Sequence, residues 1–176
     1  IDMVGEIKLI QLRTTPLDEP ANAFIKRAFD IVVSGLLLVL LSPLFLILAI
    51  AIRLSSPGPV LFRQERIGLN KKPFTMYKFR SMRVNDEQDT AWSSAEDDRR
   101  TWLGAFLRKV SIDELPQLWN VLTGTMSLVG PRPEIPFYVE RFRETVPLYM
   151  VKYQVRPGMT GWAQIHGLRG DTRIPA

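Results

Sequence analysis

The sequence predicts an α+β chain that is mainly helical: a re-entrant helix–break–helix in a membrane, followed by a small cytoplasmic domain with a short β-hairpin. Residues 31–52 contain no charged side chain, and basic residues lie at both ends of this apolar run. The rest of the chain contains two short strand-like segments and several segments of helical periodicity. The predicted boundaries are a linker over 1–23, the membrane segment over 24–54 and the cytoplasmic domain over 55–176.

The apolar run is long enough to enter a bilayer. Its 22 residues would form a helix of about 33 Å, against about 30 Å for the hydrocarbon layer. Ser42-Pro43 lies in the middle, where proline removes a backbone donor and breaks or kinks the helix. Lys26 and Arg27 precede the run and Arg53 closes it. Because basic residues collect on the cytoplasmic side, both ends are predicted to lie there.

Two other interpretations of the run stay open. It could be a single kinked span, or a wholly buried core helix of a soluble domain, although its length disfavours the second. A secretory signal peptide is disfavoured, since no small-residue cleavage site follows. Asp30 is predicted to pair with Lys26 or Arg27 at helical spacing.

Composition restricts the chemistry. The chain has 176 residues, enough for one domain, with no cysteine and with His166 as its single histidine. Disulfides, thiolate nucleophiles and zinc sites built from Cys or several His are therefore excluded, which leaves carboxylates, hydroxyls and cations. A net charge of +5 and a pI near 9.7 indicate anionic partners: phosphates, nucleic acid or an acidic membrane surface.

A basic hairpin follows the apolar run. Segments 60–63 and 74–79 have the pattern of short strands around the turn residues of 68–73. Between positions 63 and 83 there is one anion, Glu65, and seven cations: Arg63, Arg66, Lys71, Lys72, Lys78, Arg80 and Arg83. The resulting charge of +6 suits lipid headgroups or a phosphorylated substrate, and the alternative is a solvated basic face.

An acidic segment and a helix come next. The six acids and no base of 84–98 predict a solvated loop; an acidic metal site is the alternative, although the spacing matches no calcium loop. Over 99–109, the helical spacing of the apolar residues predicts a helix that packs against the core through Trp102, Leu103, Phe106, Leu107 and Val110.

Segment 111–122 predicts a second helix that ends near Gly124. Ser111 and Glu114 fit a capping box, but that register would place Pro116 beyond the first helical turn. A helix that starts at Asp113 or later removes the conflict. Asp113 then lies at a helix N-terminus, where the helix dipole favours its ionised form and bound phosphate. A simple N-cap is the alternative role.

Two loops carry further cations. Segment 126–129 is a strand candidate, and Pro131 and Pro133 hold Arg132 after it in a stiff loop. A rigid guanidinium matches two phosphate oxygens, whereas an exposed turn is the alternative. The glycine-spaced segment 155–167 contains Arg156 and is compatible with holding a nucleotide.

Six motifs follow one another along the chain: KRAFDIV, the apolar run with its central Ser-Pro, SSPGPVLFRQERIG, YKFRSM, LRKVSIDELPQLWNVLTGTMSLVGPRPE and VRPGMTGWAQI. Together they resemble the bacterial sugar transferase family, the monotopic phosphoglycosyl transferases. The resemblance extends from about Phe24 to Asp171. It implies transfer of sugar 1-phosphate from a UDP-sugar to polyprenyl (undecaprenyl) phosphate with release of UMP, as the first membrane step of exopolysaccharide, O-antigen or other glycoconjugate synthesis.

The resemblance also implies Mg²⁺ as cofactor and a catalytic domain on the cytoplasmic face of the bacterial inner membrane. It implies that Asp113 is the nucleophile and Glu114 its partner, both near the metal. The other implied site residues bind phosphate or the nucleotide sugar: Lys78, Arg80, Arg108, Arg132 and Arg156. Direct displacement without a covalent adduct stays open within this class.

Other features of the family are expected as well. Residues 1–20 resemble the linker of a longer subclass whose members are often oligomeric, which makes a homodimer compatible with the sequence. Family members continue beyond the Gly-Leu-Arg-Gly-Asp-Thr region into a further helical segment. Two rival functions are a membrane-anchored nucleic-acid-binding module and a scaffold; no recognition motif supports the first, and nucleic acid is not a predicted partner.

Overall fold

The structure is a computed structural model that describes residues 2–4, 7–9, 16–83, 101–145 and 149–167. The predicted acidic loop over 84–98 therefore lies outside the described residues. The elements, in chain order, are β1 (Asp2–Val4), β2 (Ile7–Leu9), α1 (Pro20–Leu40), α2 (Ser42–Ser55), β3 (Leu61–Ile67), β4 (Pro73–Phe79), α3 (Trp102–Lys109), α4 (Gln117–Thr123), β5 (Ser127–Val129), α5 (Pro136–Thr145), β6 (Gly158–Thr160) and α6 (Trp162–Ile165). This part of the chain is mainly helical, with three two-stranded sheets.

Helices α1 and α2 form a bent pair. They meet at Leu41 with a bend of 60°. The Ser42 hydroxyl donates to the Val39 carbonyl at 2.8 Å, so the side chain satisfies a backbone group at the break. Neither helix alone combines the length and hydrophobicity needed to cross a membrane, whereas the two together do. The predicted break at Ser42-Pro43 is confirmed.

Apolar side chains on the helix pair lie largely outside the protein. More than two fifths of each of the following is exposed: Phe24, Ile25, Phe29, Ile31, Val32, Leu36, Val39, Leu40, Leu46, Ile47, Ile50 and Leu54. A core helix of a soluble domain would bury such residues. The interpretation of the run as a wholly buried core helix is therefore wrong.

Asp30 fixes α1 to the rest of the fold. Its carboxylate is 2% exposed and accepts hydrogen bonds from Lys26 Nζ at 2.6 Å and from the Leu128 backbone N–H at 3.2 Å. The predicted pairing with Lys26 is thus confirmed. The second bond joins α1 to β5. A buried carboxylate is unfavourable unless it is paired and hydrogen-bonded, so both donors help to stabilise it.

Both ends of the helix pair are bonded to the same folded unit. At the first end, Arg27 donates to the carbonyls of Val121 (2.6 Å) and Leu122 (2.8 Å), near the C-terminus of α4. At the other end, Arg80 donates to the Ser56 carbonyl at 2.6 Å, directly after α2. These bonds satisfy carbonyls that helices leave unpaired at their C-termini.

Strands β3 and β4 form the predicted antiparallel hairpin, with Arg63 opposite Tyr77. The first strand is longer than predicted and extends to Ile67. The buried amide of Asn120 covers the outer edge of β4: its Oδ1 accepts from Tyr77 N at 3.1 Å, and its Nδ2 donates to Thr75 O at 2.7 Å. The amide thus occupies the place of a third strand.

Strand β4 contributes to two apolar cores. Phe79 packs in a cluster with Leu48 and Ile52 of α2. Met76 packs in a second cluster with residues of α4 and of the segment before β5. The strand segment that carries Lys78 therefore lies between two packed regions, which restricts its motion.

Helix α3 is only partly core-facing, which corrects the prediction. Leu107 is fully buried, but Trp102 is 86% exposed, Phe106 53% and Val110 45%. A Cβ on Gly104 would lie 1.9 Å from the Ser81 carbonyl oxygen, so this face of the helix directly contacts the backbone after β4. The periodicity correctly predicted a helix with many apolar residues. These residues occupy a wider part of the helix surface than the rest of the protein buries.

Strands β5 and β6 are parallel and pair Ser127 with Gly158, which confirms a strand within 126–129. The two backbones approach closely: a Cβ on Gly158 would lie 2.1 Å from the Gly130 nitrogen. Gly161 likewise lies against the Gly130 carbonyl. The glycine spacing of 155–167 therefore has a packing explanation.

Candidate active site

A short 3₁₀ turn, Ile112–Glu114, presents two neighbouring carboxylates. Ser111 precedes it in the left-handed region (φ 59°) and forms no side-chain cap, so the capping box is absent. Pro116 occupies the N-cap of α4, where a missing N–H costs no helical bond. The helix therefore starts later than Asp113, as the second register allows. Asp113 lies in the turn before it, so the prediction that Asp113 lies at the helix N-terminus or caps it is wrong.

Glu114 lies between two cations from distant parts of the chain. Lys78 of β4 has its Nζ 2.8 Å from Oε1, and an Nη of Arg132, in the loop between β5 and α5, lies 3.7 Å from the same oxygen. The Lys78 side chain is 16% exposed, that of Glu114 13% and that of Arg132 38%. Burial lowers the pKa of Lys78, and Glu114 counteracts this effect.

Asp113 is 6% exposed, and burial raises its pKa above the ordinary value. The positive charge of Lys78 opposes the shift, Glu114 increases it and Arg108 opposes it. The carboxylate is thus desolvated beside cations that favour its ionised form. Such an environment is typical of nucleophiles and of ligands to cations.

The loop that carries Arg132 is fixed by backbone hydrogen bonds. Gly130 N–H donates to Thr160 O, and Gly158 N–H donates to Pro131 O, both at 2.9 Å. Arg132 is therefore held in place from its N-terminal side, as the prediction of a stiff loop requires. Within the described part of the chain, its ion-pair contact is the long one with Glu114 at 3.7 Å, which leaves most of its five N–H donors available to a ligand.

The structure brings five of the predicted residues together: Asp113, Glu114, Lys78, Arg108 and Arg132. Arg108 belongs to the last turn of α3 and influences the pKa of Asp113. The sequence separations within this group reach more than 50 residues, so the fold and not the local pattern assembles it.

The other two predicted cations lie elsewhere. The guanidinium of Arg80 is 6% exposed and donates to the carbonyls of Pro57 (2.8 Å) and Ser56 (2.6 Å). Arg156 is exposed and donates to Gly124 O at 3.1 Å, at the end of α4 opposite to Asp113. In this arrangement both arginines bond to carbonyls outside the Asp113 site, and their roles with substrate stay predictions.

A metal ion would have two carboxylate ligands here. Among the described residues, no three side chains of His, Cys, Asp or Glu form a metal-binding group. Mg²⁺ is commonly held by one or two carboxylates together with substrate phosphates and water. Asp113 and Glu114 are the two carboxylates that could hold a metal ion in that mode, with a diphosphate as a further ligand.

Sequence reasoning named Arg66 only as one of the seven cations of the basic hairpin, and it did not name Gln117. Both line an open cleft with Lys78 and Arg132. In the structure, exposed residues of β3 at 61, 63 and 65 alternate with less exposed ones at 62, 64 and 66. Strand periodicity therefore directs Arg66 to the inner face.

Comparisons with known proteins agree on one group of enzymes. The model of the family described as bacterial sugar transferase matches residues 21–176. The chain is 46% identical over 98% of its length to a UDP-glucose:undecaprenyl-phosphate glucose-1-phosphate transferase of Escherichia coli K12. It is 46% identical, again over 98%, to a UDP-N-acetylgalactosamine-undecaprenyl-phosphate N-acetylgalactosaminephosphotransferase of Aeromonas hydrophila. It is 49% identical over 86% to an exopolysaccharide production protein of Rhizobium leguminosarum.

The relatives differ in length from this chain. It spans 37% of the Escherichia coli protein and 43% of the Aeromonas protein, but 78% of the Rhizobium protein.

Proposed function

Because the chain belongs to the bacterial sugar transferase family, we propose that it transfers a sugar 1-phosphate from a UDP-sugar to polyprenyl phosphate and releases UMP. The observation that carries the proposal is the position of Asp113: a desolvated carboxylate beside Glu114, Lys78 and Arg108. The names of the relatives specify this reaction for those proteins. They also differ in the sugar, so the sugar is left open here.

The proposed reaction has two displacement steps. A carboxylate oxygen of Asp113 attacks the phosphorus that bears the sugar, the bond to the bridging diphosphate oxygen breaks, and UMP leaves with the electron pair. A phosphate oxygen of polyprenyl phosphate then attacks the same phosphorus, which breaks the acyl phosphate bond and restores the carboxylate. One difficult displacement between anions is thereby divided into two.

The neighbouring side chains have separate roles in this proposal. Lys78 and Arg132 bind the diphosphate oxygens and neutralise charge that develops as UMP departs. Glu114 orients both cations before substrate binds: its Oε1 lies 2.8 Å from Lys78 Nζ and 3.7 Å from an Nη of Arg132. Mg²⁺, held by Asp113 and Glu114 with the diphosphate, would supply further charge neutralisation at the phosphorus.

The helix pair α1–α2 is proposed to enter the cytoplasmic leaflet of a bacterial inner membrane and return to the same face. Its exposed apolar surface supports insertion. Its two ends, bonded through Arg27 and Arg80 to one folded unit, support a return. A lipid-embedded acceptor would then present its phosphate beside the site while its chain stays in the bilayer. A homodimer stays a prediction.

Mass spectrometry of the intact protein tests the covalent step. Incubation with UDP-sugar and Mg²⁺, without acceptor, should add one phosphosugar to the wild type and none to Asp113→Asn. Peptide mapping should place the mass on Asp113. UMP released only when acceptor is present, with no added mass, would instead favour direct displacement.

A panel of UDP-sugars with undecaprenyl phosphate tests the overall reaction and its sugar. UMP release should be strong for one or a few sugars and lost by at least about a thousandfold in Asp113→Asn. Arg63→Gln, which removes an exposed cation of β3, is the matched control and should keep wild-type turnover. Equal turnover by Asp113→Asn would contradict the proposed chemistry.

A further inference from the structure

Arg66 is a partly buried cation at the end of β3 whose role the preceding mechanism leaves open. Its side chain lines the cleft together with Lys78, Gln117 and Arg132, so it faces the same space as two of the proposed phosphate ligands. Met76 and Met159 contribute apolar lining to the same cleft. Arg66 is therefore positioned to reach a ligand that enters this cleft.

The guanidinium of Arg66 is held by neutral partners. Nε and Nη2 donate to Gln64 Oε1 at 3.1 and 2.6 Å, and Nη1 donates to Pro133 O at 3.1 Å. An arginine has five N–H donors, so these three bonds leave two. The group is thus oriented before a ligand arrives, and little further side-chain entropy is lost on binding.

Among the described residues, the Arg66 guanidinium has no carboxylate at ion-pair distance. Burial and the nearby charge of Arg132 lower the pKa of Arg66 to about 10, with Glu134 and Glu114 opposing from a distance. The side chain is still charged at neutral pH.

The cleft as a whole has excess positive charge. Lys78 and Arg132 share Glu114, and Arg66 adds a third cation next to Arg132. A desolvated cation without a close anion is unfavourable unless a ligand supplies one. Two remaining N–H donors on a fixed planar group match the oxygens of a phosphate.

We propose that Arg66 is a phosphate-binding residue of this cleft, which contacts a phosphate of the substrates alongside Arg132. The inference rests on the proposed function for the identity of the ligand. The phosphate could belong to the nucleotide, where it becomes the phosphate of UMP, or to the polyprenyl acceptor. Both present anionic phosphate oxygens to the guanidinium, and binding measurements separate them.

The test compares ligands that differ by one phosphate. Binding of UMP and of uridine is measured by calorimetry on the detergent-solubilised wild type and on Arg66→Gln, and the KM for undecaprenyl phosphate is measured in mixed micelles. Arg66→Gln should weaken UMP binding by about tenfold or more while uridine binding is unchanged. If UMP binding is unchanged but the KM for undecaprenyl phosphate rises by a similar factor, the acceptor phosphate is the ligand.

Two further variants keep the test informative. Arg63→Gln removes an equally charged, exposed cation from the same strand and should leave all three quantities at wild-type values. Arg66→Lys retains the charge without the planar fork, so it should keep part of the phosphate affinity that Arg66→Gln loses. This variant still tests the inference if Arg66→Gln folds poorly. Unchanged UMP affinity and acceptor KM in both Arg66 variants would overturn the inference, as would equal loss of UMP and uridine, which indicates only a structural role.

Failure of the inference is distinguishable from failure of the proposed function. If the wild type transfers no sugar phosphate but binds UMP in an Arg66-dependent way, the phosphate site stands and the proposed function fails. If the wild type is active and the Arg66 variants bind both phosphates normally, only the inference fails.

Discussion

Nζ of Lys78 lies 2.8 Å from Oε1 of Glu114, and the side chains of this pair are 16% and 13% exposed. Lys78 comes from a strand and Glu114 from a turn 36 residues later. The pair therefore connects the β3–β4 hairpin to the segment that carries Asp113. Both side chains are largely shielded from water, so the loss of either one would leave the other charge poorly solvated. This distinguishes the pair from an ion pair on the protein surface.

Removing one partner of this ion pair should lower the free energy of unfolding, and removing both should lower it by less than the sum of the two single effects. We expect Lys78→Met and Glu114→Gln each to lower the free energy of unfolding by about 2–3 kcal/mol, since each leaves a poorly solvated partner. The double variant should recover at least about 1 kcal/mol relative to additivity. Urea denaturation in detergent measures all three. Glu65→Gln, at an exposed position of β3, is the control, and strictly additive effects would contradict the coupling.

Asp113→Asn should separate activity from stability. Burial raises the pKa of Asp113, so the folded state binds its proton at a higher pH than the unfolded state does. The stability contributed by this group therefore decreases as the pH rises from the ordinary value of about 3.9 through the raised value. Asparagine does not ionise, so the variant should be inactive but unfold at a higher temperature than the wild type near neutral pH.

Thermal unfolding in detergent between about pH 4 and pH 8 checks this sign. The difference in Tm should be largest at the neutral end and should shrink as the pH approaches the ordinary pKa of aspartate. A variant that is less stable than the wild type at neutral pH would show that the Asp113 carboxylate is stabilising, against the pKa shift. Glu65→Gln, at an exposed position of β3, controls for the loss of one negative charge.

Sequence patterns correctly predicted the features that depend on residues close to one another in the chain. The helix break at Ser42-Pro43 follows from the missing N–H of proline, and the Lys26–Asp30 ion pair follows from helical spacing. The β3–β4 hairpin likewise follows from strand-like segments around turn residues. These features depend on residues that are close in sequence, and even the outermost hairpin pair, Leu61 and Phe79, belongs to one short stretch of chain.

The distribution of the cations depended on tertiary structure. Arg66, Lys78 and Arg80 belong to one basic stretch, yet Arg66 and Lys78 line the cleft and Arg80 bonds to the end of α2. Their sequence spacing does not reveal this difference, because it depends on which element packs against each face of the hairpin. For the same reason, the spacing of apolar residues in α3 could not show that Trp102 would be left exposed.

Gly158→Ala tests whether close backbone contact holds the Arg132 loop. The added Cβ would lie 2.1 Å from the Gly130 nitrogen and 2.5 Å from the Thr160 carbonyl oxygen, so the backbones must separate. We expect a loss of about 2–3 kcal/mol in the free energy of unfolding, together with a lower rate of UMP release as Arg132 shifts. Gly35→Ala is the matched control: its Cβ meets nothing nearer than Leu122 Cδ1 at 3.9 Å, and it should be neutral or stabilising. Equal stability and activity for both variants would contradict the role of the contact.

Cysteine labelling tests the membrane topology in a background that has no native cysteine. Asn22→Cys and Ser55→Cys place thiols at exposed positions near the two ends of the helix pair, and Leu40→Cys places one at the break, where the native side chain is 69% exposed. If α1–α2 is re-entrant, a membrane-impermeant maleimide should label Cys variants at both ends in inside-out vesicles and at neither end in right-side-out vesicles. The Leu40→Cys variant should react only after detergent is added, because hydrocarbon excludes the charged reagent and keeps the thiol protonated. Labelling of the two ends from opposite sides would establish a single kinked span, which would place α4 and the end of β4 across the bilayer from each other, against the bonds of Arg27 and Arg80.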